Sequence, residues 1–314
     1  MEYRQLGSTG LRVSGVALGT VELGMDYGFR GSEHYRRPNP QEAIRIVHRA
    51  LDLGINLIDS ARAYGTSEEL IGKALKSRPA GVVIASKVGI PDDDENVGSK
   101  QIREAILGSI EASLRALQLE TIDLMQIHNT TLATPSKDEV LRALEDARQA
   151  GKIRFFGASC YGEEVPLTVL ENPRFDTLQV PFNVLDRRVI QRVFPKAIQR
   201  GVGILVRSAF LRGVLASDVD FVPERLAPVR EAALRIFSQS RRTVQNLSEM
   251  ALRFCLSFDG VSSVIIGVRS VHELESDIAD AEKGTLPPEQ VYRLCQVSVQ
   301  DERLLDPQNW QDLI

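Results

Sequence analysis

Three residues that can hold or move a proton fall at the ends of short apolar runs in this chain: Asp59, Lys87 and His128. A fourth, Tyr64, follows Asp59 in the same loop. The run 55–58 comes after Leu53-Gly54, reads as a buried strand, and stops abruptly at the carboxylate of Asp59. Beyond Tyr64 and Gly65, residues 66–75 read as a helix with a good cap and an acidic first turn. An acid and a phenol therefore share one strand-to-helix loop, where α/β proteins carry chemistry. Each residue also has an ordinary structural use. An Asp at a loop start caps a turn, a Tyr covers a core edge, and a His after an apolar run is most often a satisfied core histidine. Lys87 is harder to dismiss, because an ammonium at the tail of the buried run 82–88 is costly without a partner, and Asp59 supplies one. Lysine and tyrosine titrate near about 10.4 and 10, so an ammonium hydrogen-bonded to the phenol favours phenolate and lowers its pKa. Tyr64 is then a usable general acid.

These side chains meet only if the strand ends converge. Residues 3–14 hold two short β-like pieces around Gly7-Ser8-Thr9-Gly10, a hairpin suited to plugging the end of a barrel. A first buried strand at 16–20 leads into an irregular segment, 21–39, whose length marks it as functional or mobile. Pro40 opens a helix that ends at Gly54. Further strands at 55–58, 82–88, 122–128, 153–159, 177–180, 202–206 and 263–266 alternate with helices at 66–75, 100–117, 136–150, 164–170, 189–199, 224–237, 243–257 and 271–281. A longer loop covers 208–222. Eight strand–helix units without a composition break predict one domain over 1–314, a (β/α)8 TIM barrel with an N-terminal hairpin plug and extended substrate loops. Its active site belongs at the C-terminal strand ends. The rival, a doubly wound open sheet, lacks the G-x-G-x-x-G turn after its first strand.

Composition narrows the class. A hydrophobic content of 43%, a charged content of 25% and a net charge of −4 describe a globular protein with a sizeable core and no basic face for nucleic acid. Met1-Glu2-Tyr3-Arg4-Gln5 lacks a signal-peptide core and no apolar run approaches a membrane span, so the expected location is the cytoplasm. Cys160, Cys255 and Cys295 are odd in number and far apart, which suggests neither a disulfide framework nor a metal clip. Cys255 and Cys295 read as core or helix-packing thiols.

Five stretches together resemble the aldo-keto reductase superfamily, along nearly the whole chain: 57–65, 85–89, 126–128, 151–159 and 179–183. The resemblance implies an NAD(P)H-dependent carbonyl reductase with Tyr64 as proton donor, Lys87 as its pKa modulator, Asp59 as the partner of Lys87, and His128 orienting the substrate carbonyl. It also implies Ser159 and Gln179 on the nicotinamide carboxamide, and Thr20 and Asp59 near its ribose. Cys160 stands where the family usually has Asn. Arg207 replaces a stacking aromatic at the head of a cofactor loop that includes Ser208, Phe210 and Gly213; it reads as a cofactor contact or as a salt bridge at the rim. After the last strand, Gly267, Arg269, Ser270, Glu273 and Asp277 fall where the family grips the adenosine. Arg269 and Ser270, at a helix N-terminus, suit a 2′-phosphate. Glu273 and Asp277 suit a free ribose diol, or lie one turn apart on a solvated helix face. NADP is slightly favoured, NAD the alternative.

The expected reaction is reduction of an aldehyde or ketone to an alcohol, or the reverse oxidation, on a small-molecule substrate with no nucleic-acid or membrane partner. A different class, a cofactor-binding sensor or channel-associated subunit of the same fold, is the alternative. A metal-dependent barrel hydrolase fits less well, since only His34, His48, His128 and His272 are available and no H-x-H occurs. No metal is expected.

Overall fold

In the computed structural model, which describes residues 1–32, 34–76, 81–91, 98–240 and 243–310, the expected alternation closes on itself. An antiparallel hairpin of β1 (Tyr3–Gln5) and β2 (Arg12–Ser14) comes first. Eight parallel strands follow: β3 (Val16–Gly19), β4 (Leu57–Asp59), β5 (Val83–Val88), β6 (Ile122–Ile127), β7 (Ile153–Ser159), β8 (Thr177–Pro181), β9 (Gly203–Arg207) and β10 (Ser263–Gly267). They pair in chain order, and β10 returns to β3. The open-sheet alternative is excluded.

The helices are α1 (Val21–Gly24), α2 (Pro40–Asp52), α3 (Ser67–Ala74), α4 (Ser99–Leu117), α5 (Asp138–Gln149), α6 (Glu164–Glu171), α7 (Val193–Arg200), α8 (Ala227–Ser240), α9 (Leu247–Leu256), α10 (Val271–Glu282) and α11 (Pro288–Leu294). Helix α2 shows why they form where they do. Asn39 caps it by accepting from Glu42 N at 2.9 Å, Pro40 fits the first turn, and Ala43, Ile46, Val47 and Ala50 make one buried stripe facing the strands.

Apolar residues form two cores. The larger lies between strands and helices, and the smaller fills the barrel with Ala17, Leu57, Val83, Ala85, Leu124, Leu205 and Ile265. Leu6, Leu11 and Val13 of the hairpin join the inner core, so the hairpin is a plug. Gly7 turns there at φ +54, and a Cβ on it would lie 2.3 Å from Gly203 N, so no side chain fits. Strand side chains alternate, so residues two further along β4, β5, β6, β9 and β10 also point inward: Asp59, Lys87, Gln126, Arg207 and Gly267. A polar layer thus sits directly above the apolar one, at the C-terminal mouth.

Four parts depart from the sequence reading, one of them α9, which begins at Leu247 under its Asn246 cap and not at 243. The segment expected to be irregular after β3 opens with the single turn of α1. Helix α7 begins at Val193, not at 189, with turns before it. The C-terminal residues after α10 add α11 and two 3-10 turns that bury Trp310 against Phe29, with ring centroids 6.0 Å apart. The tail carries too few apolar residues for a periodic signal, and its order comes from this distant packing.

Candidate active site

Asp59 is the hub of the polar layer. Its Oδ2 accepts from Lys87 Nζ at 2.5 Å, and its Oδ1 accepts from Gln126 Nε2 at 3.0 Å and Gln179 Nε2 at 2.8 Å. Lys87 also donates to Ser60 O at 2.9 Å, and its ammonium stands 4.8 Å from the Tyr64 ring centroid. Both members of the pair are buried, so the attraction between them is weakly screened. Burial alone would lower the Lys87 pKa, but Asp59 and the phenol outweigh it and hold the ammonium above its ordinary value.

Tyr64 corrects a sequence expectation. Burial raises the phenol pKa above 10.0, and the charge of Lys87, with its hydrogen bond, offsets that only in part. Lysine does act in the expected direction, yet the net shift is upward, so the phenol stays protonated. The Tyr64 loop is held by α1: Thr66 N donates to Gly24 O at 3.2 Å, and a Cβ on Gly24 would sit 1.9 Å from Tyr64 O. His128 leaves β6 with its N–H on Val88 O at 2.8 Å and meets Tyr64 edge-on, rings 5.8 Å apart. Burial first, then Lys87 and Arg207, push its pKa down to about 3, so the imidazole is neutral.

The remaining expected residues sort by position. Thr20 donates to Asp59 O at 2.9 Å and accepts from Ser67 Oγ at 2.6 Å, tying β3 to β4 below the mouth. Ser159 Oγ lies 3.4 Å from Gln179 Oε1. Arg207 makes no ion pair among the described residues, which removes the rim salt bridge from consideration; it donates to Cys160 O at 3.0 Å and Ser208 Oγ at 3.3 Å and stacks 4.0 Å from the Tyr161 centroid. Cys160 is buried and its thiol is pushed up to about 12, which leaves it inert. Cys255 is a core thiol, donating to Phe182 O at 3.3 Å.

A cleft of about 310 Å³ opens above this layer, lined by Tyr64, His128, Ser159, Gln179, Arg207, Ser208, Phe210, Gly213, Gly267, Arg269 and Glu273. A second, of about 510 Å³, shares Phe210, Arg269 and Glu273 with it and continues past Ser270 and Asp277 to His34, Arg36 and His272. Together they form one groove from the tetrad of Asp59, Tyr64, Lys87 and His128 to the N-terminus of α10. Ser270 caps that helix, accepting from Glu273 N at 3.1 Å, and Glu273 Oε2 accepts from Arg269 N at 2.7 Å. Arg269 reaches inward to donate to Tyr27 O at 3.0 Å. Asp277 is buried, not part of a solvated face, and burial reinforced by Glu273 and Asp280 holds its carboxyl well above the usual range.

Sequence reasoning missed several groove residues. Gln126 carried a readable signal, two residues before His128 on the inward face of β6. Glu22, Tyr27, Arg212 and Asp218 carried none, since they sit in the two long loops. Those loops close on each other: Ser32 Oγ donates to Asp218 Oδ1 at 2.6 Å, and the Arg212 guanidinium stands 4.6 Å from the Tyr27 centroid. Gly213, at φ +97, is pressed by Asp218, 2.6 Å from where a Cβ would be. Glu22 packs on Gly267, and its burial raises the carboxyl to about 7 despite Arg269 nearby. Among the described residues, no group of three His, Cys, Asp or Glu is placed to hold a metal ion, and no helix is long and apolar enough to cross a membrane.

The same barrel and chain length recur among known proteins. The chain is 27% identical to L-galactose dehydrogenase of Arabidopsis thaliana over 292 residues, 89% of this chain and 88% of that protein. It is 28% identical to L-glyceraldehyde 3-phosphate reductase of Escherichia coli K12 over 311 residues, 88% and 87% of the two. The holo form of an aldo-keto reductase from Bacillus halodurans superposes with a TM-score of 0.77 at 29% identity, covering 96% of this chain and 99% of that one. A glycerol dehydrogenase from Gluconobacter oxydans gives 0.73 at 28% identity, covering 94% of each. The sequence model of the Aldo/keto reductase family matches residues 16–298, the whole barrel with its plug left out, and the chain therefore belongs to the aldo/keto reductase family of oxidoreductases.

Proposed function

We propose that the protein is an NAD(P)(H)-dependent reductase of a small aldehyde or ketone, able to run in reverse as an alcohol dehydrogenase, with Tyr64 as general acid and base. The observation that carries this reading is the Lys87 ammonium, buried between the Asp59 carboxylate and the Tyr64 ring. A cation fixed there stabilises the phenolate left when the proton departs. With the phenol protonated and His128 neutral, both can hydrogen-bond a carbonyl oxygen, and only Tyr64 has a proton poised to transfer. Asp59 keeps Lys87 charged, and Gln126 and Gln179 fix Asp59.

A dinucleotide fits the groove on chemical grounds. Arg212 Nε and Arg269 Nε are buried N–H donors without a partner among the described residues, midway along it, where a pyrophosphate would supply acceptors. Ser159 and Gln179 would hold the carboxamide, and Thr20 and Asp59 would serve the adjoining ribose. Gly213 and Gly267 make room for Asp218 and Glu22 in the groove wall, and Phe210, Ser208 and Arg207 would wall the loop side. When bound, the dinucleotide supplies or takes up the hydride. At the far end, Ser270, Arg36 and the capped start of α10 favour a 2′-phosphate, hence NADP, while the Arg269 guanidinium turns inward to Tyr27 O. Asp277, its carboxyl held well above the usual range by burial, opposes a phosphate less than a free carboxylate would, which leaves Glu273 as the main opposing charge.

Relatives named for L-galactose, L-glyceraldehyde 3-phosphate and glycerol support a small, hydroxylated substrate. Steady-state assay of such carbonyls with NADPH and NADH tests the proposal. Turnover of at least one, lost in Tyr64→Phe, supports it; binding of dinucleotide without turnover of any carbonyl or alcohol overturns it.

A further inference from the structure

We propose that Arg207 makes the barrel mouth discriminate between the redox states of a nicotinamide ring, holding reduced dinucleotide more tightly than oxidised. The inference rests on the dinucleotide reading above and is independent of whether a 2′-phosphate is bound.

The placement comes from strand alternation. Leu205 lies in the inner core and pairs with Gln179, so Arg207, two residues on and paired with Pro181, also points inward, one layer nearer the mouth. Its guanidinium is pinned there by Cys160 O at 3.0 Å, Ser208 Oγ at 3.3 Å and the face of Tyr161 at 4.0 Å. All three partners are neutral.

Charge accounting at the mouth then leaves an imbalance. Lys87 is matched by Asp59 at 2.5 Å. Tyr64 is protonated and His128 is neutral. Arg207 has no carboxylate within 4.0 Å among the described residues. Glu22, the acid on the opposite wall, acts on Arg269 and Arg212. An uncompensated positive charge therefore faces the reacting groups, and its field reaches them, since Arg207 lowers the pKa of both Tyr64 and His128.

A ring that exchanges hydride with a carbonyl carbon, whose oxygen is held by Tyr64 and His128, must lie within a few ångströms of that carbon. It therefore lies inside the same field. The oxidised ring is positively charged and the reduced ring is not. At a separation of roughly 5–7 Å and an effective dielectric near 20, repulsion between unit charges is worth about fifty- to three-hundredfold in binding, and residual water at the mouth brings that towards tenfold. An aromatic at position 207 would stack on both forms, whereas a guanidinium separates them by charge.

The test needs no substrate. Wild type, Arg207→Gln and Arg207→Lys are titrated with NADP+, NADPH, NAD+ and NADH by calorimetry and cofactor fluorescence. Wild type should bind the reduced form of its preferred dinucleotide at least about tenfold more tightly than the oxidised form. Arg207→Gln should reduce that ratio about tenfold or more, chiefly by tightening the oxidised form, and Arg207→Lys should keep most of it. Each tenfold corresponds to a shift of about 30 mV in the bound couple. A wild-type ratio near one overturns the proposal without any variant. An unchanged ratio in a glutamine variant that still binds both forms overturns it and leaves the dinucleotide reading intact. If wild type binds no dinucleotide at all, the dinucleotide reading itself fails, and the proposal with it.

Discussion

Asp59 accepts from three side chains on three other strands, and this decides how the tetrad responds to substitution. Lys87→Met leaves a buried carboxylate with only neutral amide donors, at a cost of roughly 3–5 kcal/mol in denaturant titration, together with a fall in kcat. Adding Asp59→Asn to that variant should recover part of the stability and none of the activity; no recovery would show that the two charges are not energetically paired. Tyr64 lies on the other side of Lys87 and carries no structural ion pair. Tyr64→Phe should keep its fold and its dinucleotide dissociation constant while kcat falls about 10²–10⁴-fold, the usual contribution of a general acid. Retained turnover in that variant would remove Tyr64 from the mechanism.

Among the elements, the strands place the chemistry and the loops enclose it. Strand alternation brings Lys87, Gln126 and Arg207 to one layer, while the segment after β3 and the segment after β9 meet over the groove at Ser32–Asp218. Asp218→Ala leaves the Ser32 hydroxyl without its buried acceptor. The expected loss is about 1–3 kcal/mol, with faster dinucleotide release in stopped-flow displacement. Unaltered release would mean that this contact does not restrain the groove. At the other end, Glu273→Gln keeps an acceptor for the Arg269 amide but removes a charge beside the start of α10. The ratio of the NADP to the NAD dissociation constant should fall several-fold, because charge repels phosphate and leaves a ribose diol nearly untouched. A ratio that stays put would place the adenosine end away from α10.

For the molecule as a whole, buried Glu22 and half-buried His128 pull stability in opposite directions with pH. Glu22 is raised from 4.5 to about 7, so the folded state holds its proton more tightly. Its contribution is fully present below pH 4.5 and is lost as pH rises to about 7. His128 is lowered from 6.5 to about 3, so its contribution is present above pH 6.5 and is lost as pH falls towards 3. Each pH unit within a window changes stability by up to about 1.4 kcal/mol per group. Glu22→Gln should therefore be more stable than wild type above pH 7, by about 1–3 kcal/mol, and indistinguishable near pH 4.5. Equal stabilities at both ends of that range would show that Glu22 is not buried as a free carboxyl.

What the sequence determined by itself is whatever depends on local periodicity. Short apolar runs at regular intervals specify eight strand–helix units, Gly7-Ser8-Thr9-Gly10 specifies the plug, and the residue ending each run specifies Asp59, Lys87 and His128. Only the tertiary structure decided the electrostatics, because burial and charge compensation sum over residues far apart in the chain. Burial outweighs the lysine at Tyr64 and neutralises His128, and it removes Asp277 from the solvated face that helical spacing suggested. Among the described residues the charge of Arg207 is left unpaired, because the loop after β7 presents it only a carbonyl and an aromatic face. Gln179 reaches Asp59 across 120 positions, Ser32 reaches Asp218 across 186, and Trp310 orders the tail by stacking on Phe29 near the other terminus. No pattern within a window of a few residues encodes such pairs; they exist because the barrel closes.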